Sequence, residues 1–365
     1  MNKILYISGD GIADPKNKWN MYSNYFDFYS KNYFIVKALK SLDNKCEIIN
    51  FFLQIWFLRL ILKLESLGMY GSTRIRLKVV NIINIFMQNI IYRKIYDNYY
   101  DLIIFSDNLF FLDKKFLKKI KQITSIKVVL LSGVSPKYLL HQSEKDCAQY
   151  FDLIFISDPG HETEWKDLGA QSVICLPLSA GCPNTFQRIA KNYIKRKKYD
   201  IVFIGRLDTD GYENRIKILN YLLSKGVEVK IWTWSISKKF IEKYPLLNTQ
   251  VVGSVYGEEM VKILAQSKIV LNIHGKSVPY GGNIRLFEIP ATKSFQIADK
   301  CPKDWFINGD EIILFKDNQD LLDKVSYYLH DDKERLRIAH NGYKRLLKEH
   351  TYEHRMKNVL QIVQG

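Results

Sequence analysis

The chain has 365 residues, 47% hydrophobic and 25% charged, which is too long for one ordinary core and too apolar for wholesale disorder, so two domains are expected. With 54 Lys+Arg against 38 Asp+Glu, the formal net charge is +16. An anionic partner would account for that excess, and so would an AT-rich genome that raises Lys, Ile, Asn and Tyr together.

The N-terminal "MNKILYISGDG" has an apolar run too short for a signal peptide, and no stretch reaches the roughly 20 apolar residues of a spanning helix. This predicts a cytoplasmic protein, free or peripheral on the inner face of a membrane. Short apolar runs ending in Gly, Ser or Asp then recur: "KILYISGDG" (3–11), "DLIIFSDN" (101–108), "KVVLLSG" (127–133), "DLIFISDPG" (152–160) and "SVICLPLSAG" (172–181). A second series follows: "DIVFIGRLD" (200–208), "EVKIWTW" (228–234), "TQVVGSV" (249–255), "KIVLNIHG" (268–275), "SFQIAD" (294–299) and "EIILFKD" (311–317). Near-continuous apolar strands separated by helix-length segments indicate parallel α/β sheets buried on both faces, here twice over.

Between the first two runs, residues 51–96 combine large apolar and aromatic side chains with Arg59, Lys63, Arg74, Arg76, Lys78, Arg93 and Lys94. Such a segment suits an anionic membrane surface, and equally two helices packed on the first sheet with solvated basic residues. Residues 182–198 carry Pro183 and the basic run Lys195–Lys198 and read as an interdomain linker. The tail from 317 to 364 is helical by period, with breaks near Asp331–Asp332 and His350–Thr351 and a small irregularity expected at Asn341-Gly342. The five cysteines (Cys46, Cys147, Cys175, Cys182, Cys301) form no CxxC pair, which argues against a disulfide framework or structural zinc.

Ligands of open parallel sheets sit beyond the carboxyl ends of the strands, so strand-end residues are the candidates. Gly205 permits a close turn after its strand, and Arg206 and Arg215 offer guanidinium groups suited to a diphosphate. Both would equally serve in salt bridges with Asp208, Asp210 or Glu213. Asp208-Thr-Asp210 invites a metal reading, but no further carboxylate cluster accompanies it and Asp210-Gly211 is an ordinary turn pair, so no metal is expected. Trp232, Trp234 and Tyr256 are aromatic groups placed to flank a base or simply to pack. His274 at a strand end is a catalyst or a hydrogen-bonded core residue. In "PYGGNIRLFEIPA" (279–291), Gly281, Gly282 and Asn283 lead into a helix whose start would attract an anion. Within it, Glu288 would accept ribose hydroxyls and Arg285 would be structural or a second anion contact. Neither GxGxxG nor GxxxxGK[ST] is present.

The pieces "YDIVFIGRL", "VYGEEMVKILAQSKIVLNIHG", "GGNIRLFEIPATKSFQIAD", the run from Ile307 to Arg355, and "FDLIFISDPGHETEWKDLGAQSVICLPLSAG" resemble the GT-B fold glycosyltransferases, in particular the CgeB-like (spore maturation protein) group of the family 4 clan. The resemblance covers most of residues 150–355. It implies metal-independent, retaining transfer of a sugar from a nucleoside-diphosphate sugar to a glycan, lipid-linked or protein acceptor, in the setting of cell-surface polysaccharide biosynthesis. No cofactor is implied beyond the donor itself. By motif match Arg206 and Arg215 neutralise the diphosphate, the Gly281–Asn283 backbone meets the distal phosphate or sugar, and Glu288 holds the ribose. Tyr280 departs from the family pattern, standing where the first Glu of Glu-x7-Glu belongs. First-domain candidates for the catalytic role are Asp10, Asp107, Asp158 and His161.

The expected architecture is α/β, two Rossmann-like domains facing a central cleft. Residues 1–181 would bind the acceptor, 182–198 would link, 199–345 would bind the nucleotide sugar, and 346–365 would form a helix packing back on the first domain. Alternatives are a nucleotide-sugar epimerase of similar fold and a non-catalytic binder on a degenerate GT-B scaffold. No nucleic-acid recognition motif is seen.

Overall fold

The computed structural model describes residues 2–8, 31–50, 73–106, 109, 111–133, 135–139 and 142–365. The chain divides into two compact units, Met1–Leu178 with Met356–Gly365, and Ser179–Arg355.

The first unit is built on β1 (Lys3–Ser8), β2 (Lys45–Asn50), β3 (Leu102–Ser106), β4 (Lys127–Ser132), β5 (Leu153–Ile156) and β6 (Val173–Cys175). These form one six-stranded sheet in the order β2-β1-β3-β4-β5-β6, with every neighbouring pair parallel. Leu5, Ile7, Ile103, Phe105, Val128 and Ile154 pack into one core. The alternate residues Ile4, Tyr6, Ile104, Val129 and Phe155 are also fully buried. Burial on both faces is why these strands read as unbroken apolar runs.

The second unit is built on β7 (Tyr199–Ile204), β8 (Lys230–Trp232), β9 (Val251–Gly253), β10 (Ser267–Asn272), β11 (Gln296–Ala298) and β12 (Ile313–Leu314). The sheet order is β12-β11-β10-β7-β8-β9, again parallel throughout. Connections leave β7 toward β8 and β9 on one side and return to β10 on the other. The strand order therefore reverses between β7 and β10, and between β1 and β3 in the first sheet. A crevice opens at such a reversal, and ligands of this fold class use it.

Three details differ from the sequence expectations. β2 was not foreseen: "KCEIIN" has Lys and Glu in its first half and runs directly into further apolar residues without a turn signal. Its Glu47 is held to about 2 chiefly by a hydrogen bond from Lys94, with Tyr100 and Lys3 adding to it. Residues 182–198, read as a linker with some helix, hold the helix Pro183–Ala190, and what differs is that its Phe186, Ile189 and Ala190 are buried. Asn341-Gly342 sits inside an unbroken helix, Asp332–Glu349. A Cβ at Gly342 would lie 2.5 Å from the Glu311 carbonyl oxygen, so this glycine admits a close backbone approach rather than an irregularity.

The tail otherwise follows its period, with helices Asn318–His330, Asp332–Glu349 and Tyr352–Gln364. Asp317 caps the first by accepting from the Asp320 amide, and Asp331 caps the second through Glu334. Of the basic segment 51–96, residues 51–72 lie outside the described ones, and 73–96 form one helix, Thr73–Tyr96. No helix among the described residues is long and apolar enough to cross a membrane.

Candidate functional site

At the reversal point of the second sheet, Gly205 follows β7 and Ile273 follows β10. Arg215, in the helix Glu213–Ser224, spans the two. Its Nε donates to the Ile273 carbonyl at 2.7 Å and its Nη1 to the Arg206 carbonyl at 3.0 Å. Its guanidinium carbon lies 4.4 Å from the Tyr212 ring centroid. A Cβ at Gly205 would stand 2.9 Å from Phe203 Cζ and 3.4 Å from Arg215 Nη1, so the glycine makes room for both. Burial pulls the Arg215 guanidinium down to about 10; Tyr212 and Asp299 oppose this, and Arg285 and Arg206 add to it. Arg215 thus feels the positive charge of both Arg285 and Arg206.

Arg206 is exposed and forms a two-point pair with Asp208, Nε–Oδ1 at 3.1 Å and Nη2–Oδ2 at 2.7 Å. Asp210 pairs with Lys239. Both carboxylates of the Asp-x-Asp are therefore matched to cations. Among the described residues no group of His, Cys, Asp or Glu is arranged to hold a metal ion.

The segment 281–291 lies on the other face of β10. Ile269, Leu271 and Ile273 enter one core, which turns Asn272 and His274 to the opposite side. Asn283 donates to Asn272 Oδ1 at 2.8 Å, and its own Oδ1 accepts from the Leu286 amide at 3.1 Å. The helix Arg285–Ala291 has only seven residues and hence a weak dipole. Any anion preference there depends on the Gly281–Gly282 backbone more than on the helix. Gly282 is required by packing, since a Cβ would meet Leu286 and Trp305 at 2.6 Å. Glu288 is 4% exposed and bonds Arg285 Nη1 at 2.5 Å. The two residues expected to contact ribose and anion thus contact each other. Tyr280, in contrast, is 69% exposed.

Behind this helix His350 packs against both Phe287 and Phe306, with centroids 5.5 Å and 5.0 Å away, and the two phenyl rings are themselves 6.0 Å apart. The Arg355 guanidinium lies 5.4 Å from the Phe287 ring centroid. These contacts fix the helix that carries Arg285 and Glu288.

His274 is buried, and its Nδ1 is 2.5 Å from Asp299 Oδ1, while its amide donates to both Asp299 oxygens at 3.1 Å. Its Nε2 and Asn272 Nδ2 are buried without a partner among the described residues. Asp299 and Asn272 had no signal in the sequence beyond their strand-end positions.

Trp232 is 5% exposed and packs edge-on against Tyr199 at 5.2 Å. The aromatic groups that reach solvent at this sheet edge are Trp234, 48% exposed, and Tyr256, 38% exposed. Their rings are 6.1 Å apart and inclined at 67°. Such a pair offers both a face and an edge to a planar ligand.

In the first unit Asp158 accepts from the Gly160 amide at 2.8 Å, capping a short turn that ends at buried His161. Asp10 and Asp107 lie outside the described residues. At the reversal point of this sheet, Asn32 joins β1 and β3: it donates to Ser8 Oγ at 2.9 Å, and its Oδ1 accepts from Ser106 at 2.9 Å and from Tyr6 at 2.6 Å. Asn32 was not among the candidates, because one Asn in a helix carries no pattern.

Residues 215–361 match the protein family described as Glycosyl transferase-like. No match is found among curated protein sequences. Solved structures match along the whole chain. An alpha-glucosyltransferase in complex with UDP and a 13-mer DNA superposes with TM-score 0.66 at 12% identity, covering 100% of both chains. Alr3699/HepE from Anabaena, in complex with UDP and glucose, gives 0.62 at 13% identity, also covering 100% of both. The alpha,alpha-trehalose 6-phosphate synthase from Burkholderia multivorans gives 0.64 at 10% identity, covering 100% of this chain and 98% of that one. With its two parallel six-stranded sheets, the chain has the GT-B fold.

Proposed function

We propose that the protein is a glycosyltransferase that moves a sugar from a nucleoside-diphosphate sugar to a glycan, lipid-linked or protein acceptor. The CgeB-like group is the subgroup its motifs favour. The observation that carries this reading is Arg215 held across the reversal point of the second sheet by the Ile273 and Arg206 carbonyls, on the same sheet as the exposed Trp234–Tyr256 pair. Arg215 has two carbonyls and a ring about it but no carboxylate partner among its hydrogen bonds to the described residues, so a diphosphate supplies its counter-charge, and two exposed rings accept a base. UDP is the favoured nucleotide, since the Anabaena protein and the alpha-glucosyltransferase are both solved with it.

In the reaction the bond between the sugar C1 and the diphosphate oxygen breaks, the acceptor oxygen bonds to C1 and gives up its proton to the departing diphosphate, and charge accumulates on that diphosphate as it leaves. Arg215 is already oriented by two carbonyls and a ring, so its stabilisation of that charge costs little reorganisation. Arg206 turns from Asp208 to the phosphates. The Gly281–Asn283 backbone meets the distal phosphate or sugar. Arg285 exchanges Glu288 for the diphosphate, which frees the carboxylate for the ribose hydroxyls. The 1–181 region binds the acceptor, and His161, Asp107 and Asp10 are the groups proposed to act there. Retention at C1 and independence of metal follow from the family resemblance.

Tyr280 favours one second reading, a non-catalytic nucleotide-sugar binder, because it removes a carboxylate from the donor-sugar position. Incubation with a panel of nucleotide sugars and candidate acceptors separates the two. Nucleoside diphosphate released with glycosylated product supports transfer, and thermal stabilisation by donor without turnover supports the binder. A surface role for the helix Thr73–Tyr96, whose Ile82, Ile85 and Phe86 are more than half exposed, is tested by sedimentation with anionic vesicles. No binding at low salt removes it.

A further inference from the structure

The second sheet has another functional-looking end. Lys197 precedes β7, Lys268 lies at the start of β10 and Phe295 immediately precedes β11. Together with Ile194, Lys195, Lys293 and the first two turns of the helix Asp332–Glu349, they line a cavity of about 430 Å³. That volume is in the range of small-molecule sites. It opens at the amino ends of the strands, whereas Arg215 sits at their carboxyl ends, about 20 Å away at ~3.3 Å per strand residue.

Four lysines and Arg335 line this cavity, with Asp332 as the sole lining carboxylate. They are not all a solvated face. Arg335 is 5% exposed and bonds Asp332 and the Tyr328 carbonyl. Lys197 is directed by two main-chain carbonyls, Ala265 and Ser267, both at 2.9 Å. Lys268 pairs with Asp200 at 2.7 Å. Lys293 projects from a left-handed backbone, φ 57°, and its ammonium lies 4.5 Å from the Tyr343 ring centroid. Lys195 is exposed. Cations in a concave wall with apolar neighbours focus a positive field on whatever occupies the concavity. Phe295 and Leu336 supply the apolar side.

We infer that this cavity is a second ligand site, for an organic phosphate whose phosphate group meets Lys195, Lys197 and Lys293 while its apolar portion lies on Phe295 and Leu336. A free metabolite and a lipid headgroup both carry this phosphate, and the chemistry recognised is the same. Burial, and after it Arg335, lowers the Lys197 ammonium to about 8, with Asp332 opposing. A bound phosphate supplies the missing counter-charge.

The test uses the full chain and a Lys195→Gln/Lys293→Asn double variant, Asn being a residue that tolerates φ near 57°. Calorimetric titration at low salt with 1-naphthyl phosphate and with inorganic phosphate forms one arm. Sedimentation with phosphatidic acid vesicles forms the other. Expected for a metabolite source is naphthyl phosphate binding that exceeds inorganic phosphate and falls at least tenfold in the variant. Expected for a lipid source is vesicle binding lost in the variant. UDP binding and melting temperature stay unchanged in the double variant, and naphthyl phosphate binding survives Arg215→Ala, so this site and the proposed donor site stand or fall separately. Absence of binding in both arms, or binding that persists in the folded double variant, overturns the inference.

Discussion

Acidification should release a specific part of the stability through His350. Arg355 Nη2 donates to its Nδ1 at 2.8 Å and its Nε2 lies 2.6 Å from the Trp305 carbonyl. A guanidinium only donates, so Nδ1 must carry the lone pair and Nε2 the proton. Protonating Nδ1 would turn that bond into an N–H facing an N–H and add a charge beside Arg355. Burial first, and then Arg355, lower the imidazole from 6.5 to about 4. Between those values the unfolded chain binds more protons than the folded one, so stability falls as pH falls. The contribution is complete above 6.5 and lost as pH drops through 4. At 1.36 kcal/mol per unit the full span is about 3 kcal/mol. His350→Gln keeps a donor toward Trp305 and an acceptor toward Arg355 without titrating. Urea unfolding at pH 7.5, 6.0, 5.0 and 4.5 on both proteins isolates the term, because the other titrating groups are common to both. The wild type should lose up to about 3 kcal/mol more than the variant. Parallel curves would refute the tautomer argument.

Arg215→Lys should weaken UDP binding by roughly 10- to 100-fold, as a charge-assisted bond and its fixed geometry are lost; titration calorimetry reads this, and unchanged affinity removes Arg215 from the site. Trp234→Ala should cost about 1–3 kcal/mol in nucleotide affinity if the ring stacks on a base, with pyrophosphate binding unaffected as the control. Gly342→Ala should lower stability by about 1–3 kcal/mol through contact with the Glu311 backbone, measured by thermal unfolding. Tyr280→Glu should raise turnover with the native donor if the position faces the sugar, and steady-state kinetics decide it.

Much of the fold is legible in the sequence because parallel strands buried on both faces are written as unbroken apolar runs ending in Gly, Ser or Asp. β1, β3, β4 and β7 follow that rule. β2 escaped because Glu47 interrupts it, and the reason Glu47 sits there (Lys3, Lys94 and Tyr100 from distant positions) exists only after folding. Of the candidate site, the sequence picks out Arg206 and Arg215 by their place after a strand-end glycine, and the structure puts Arg215 across the reversal point and Arg206 in the Asp208 pair that was its alternative. The site was illegible where the role is relational. Trp232 and Trp234 are two apart on one strand end, and only the pairing of Trp232 with Tyr199 shows that the latter is the exposed one. Asn32, Asn272 and Asp299 become notable solely through partners far along the chain. Gly342 reads as a helix defect until the Glu311 carbonyl appears beside it.

The last ten residues, Met356–Gly365, belong to the first unit. Met356, Val359, Leu360 and Val363 are buried, and Lys127 Nζ bonds the Val363 carbonyl. The first unit is therefore discontinuous in sequence, and the order of synthesis matters for it. A ribosome finishes every residue of the second unit before it releases the segment that completes the first. Expression of residues 1–178 alone would yield a unit missing a helix from its core, whereas 179–355 is continuous and is the better candidate for independent production. A translation arrest or proteolytic nick near Arg355 would damage the N-terminal half of the protein first, although the lesion lies at the other end of the chain.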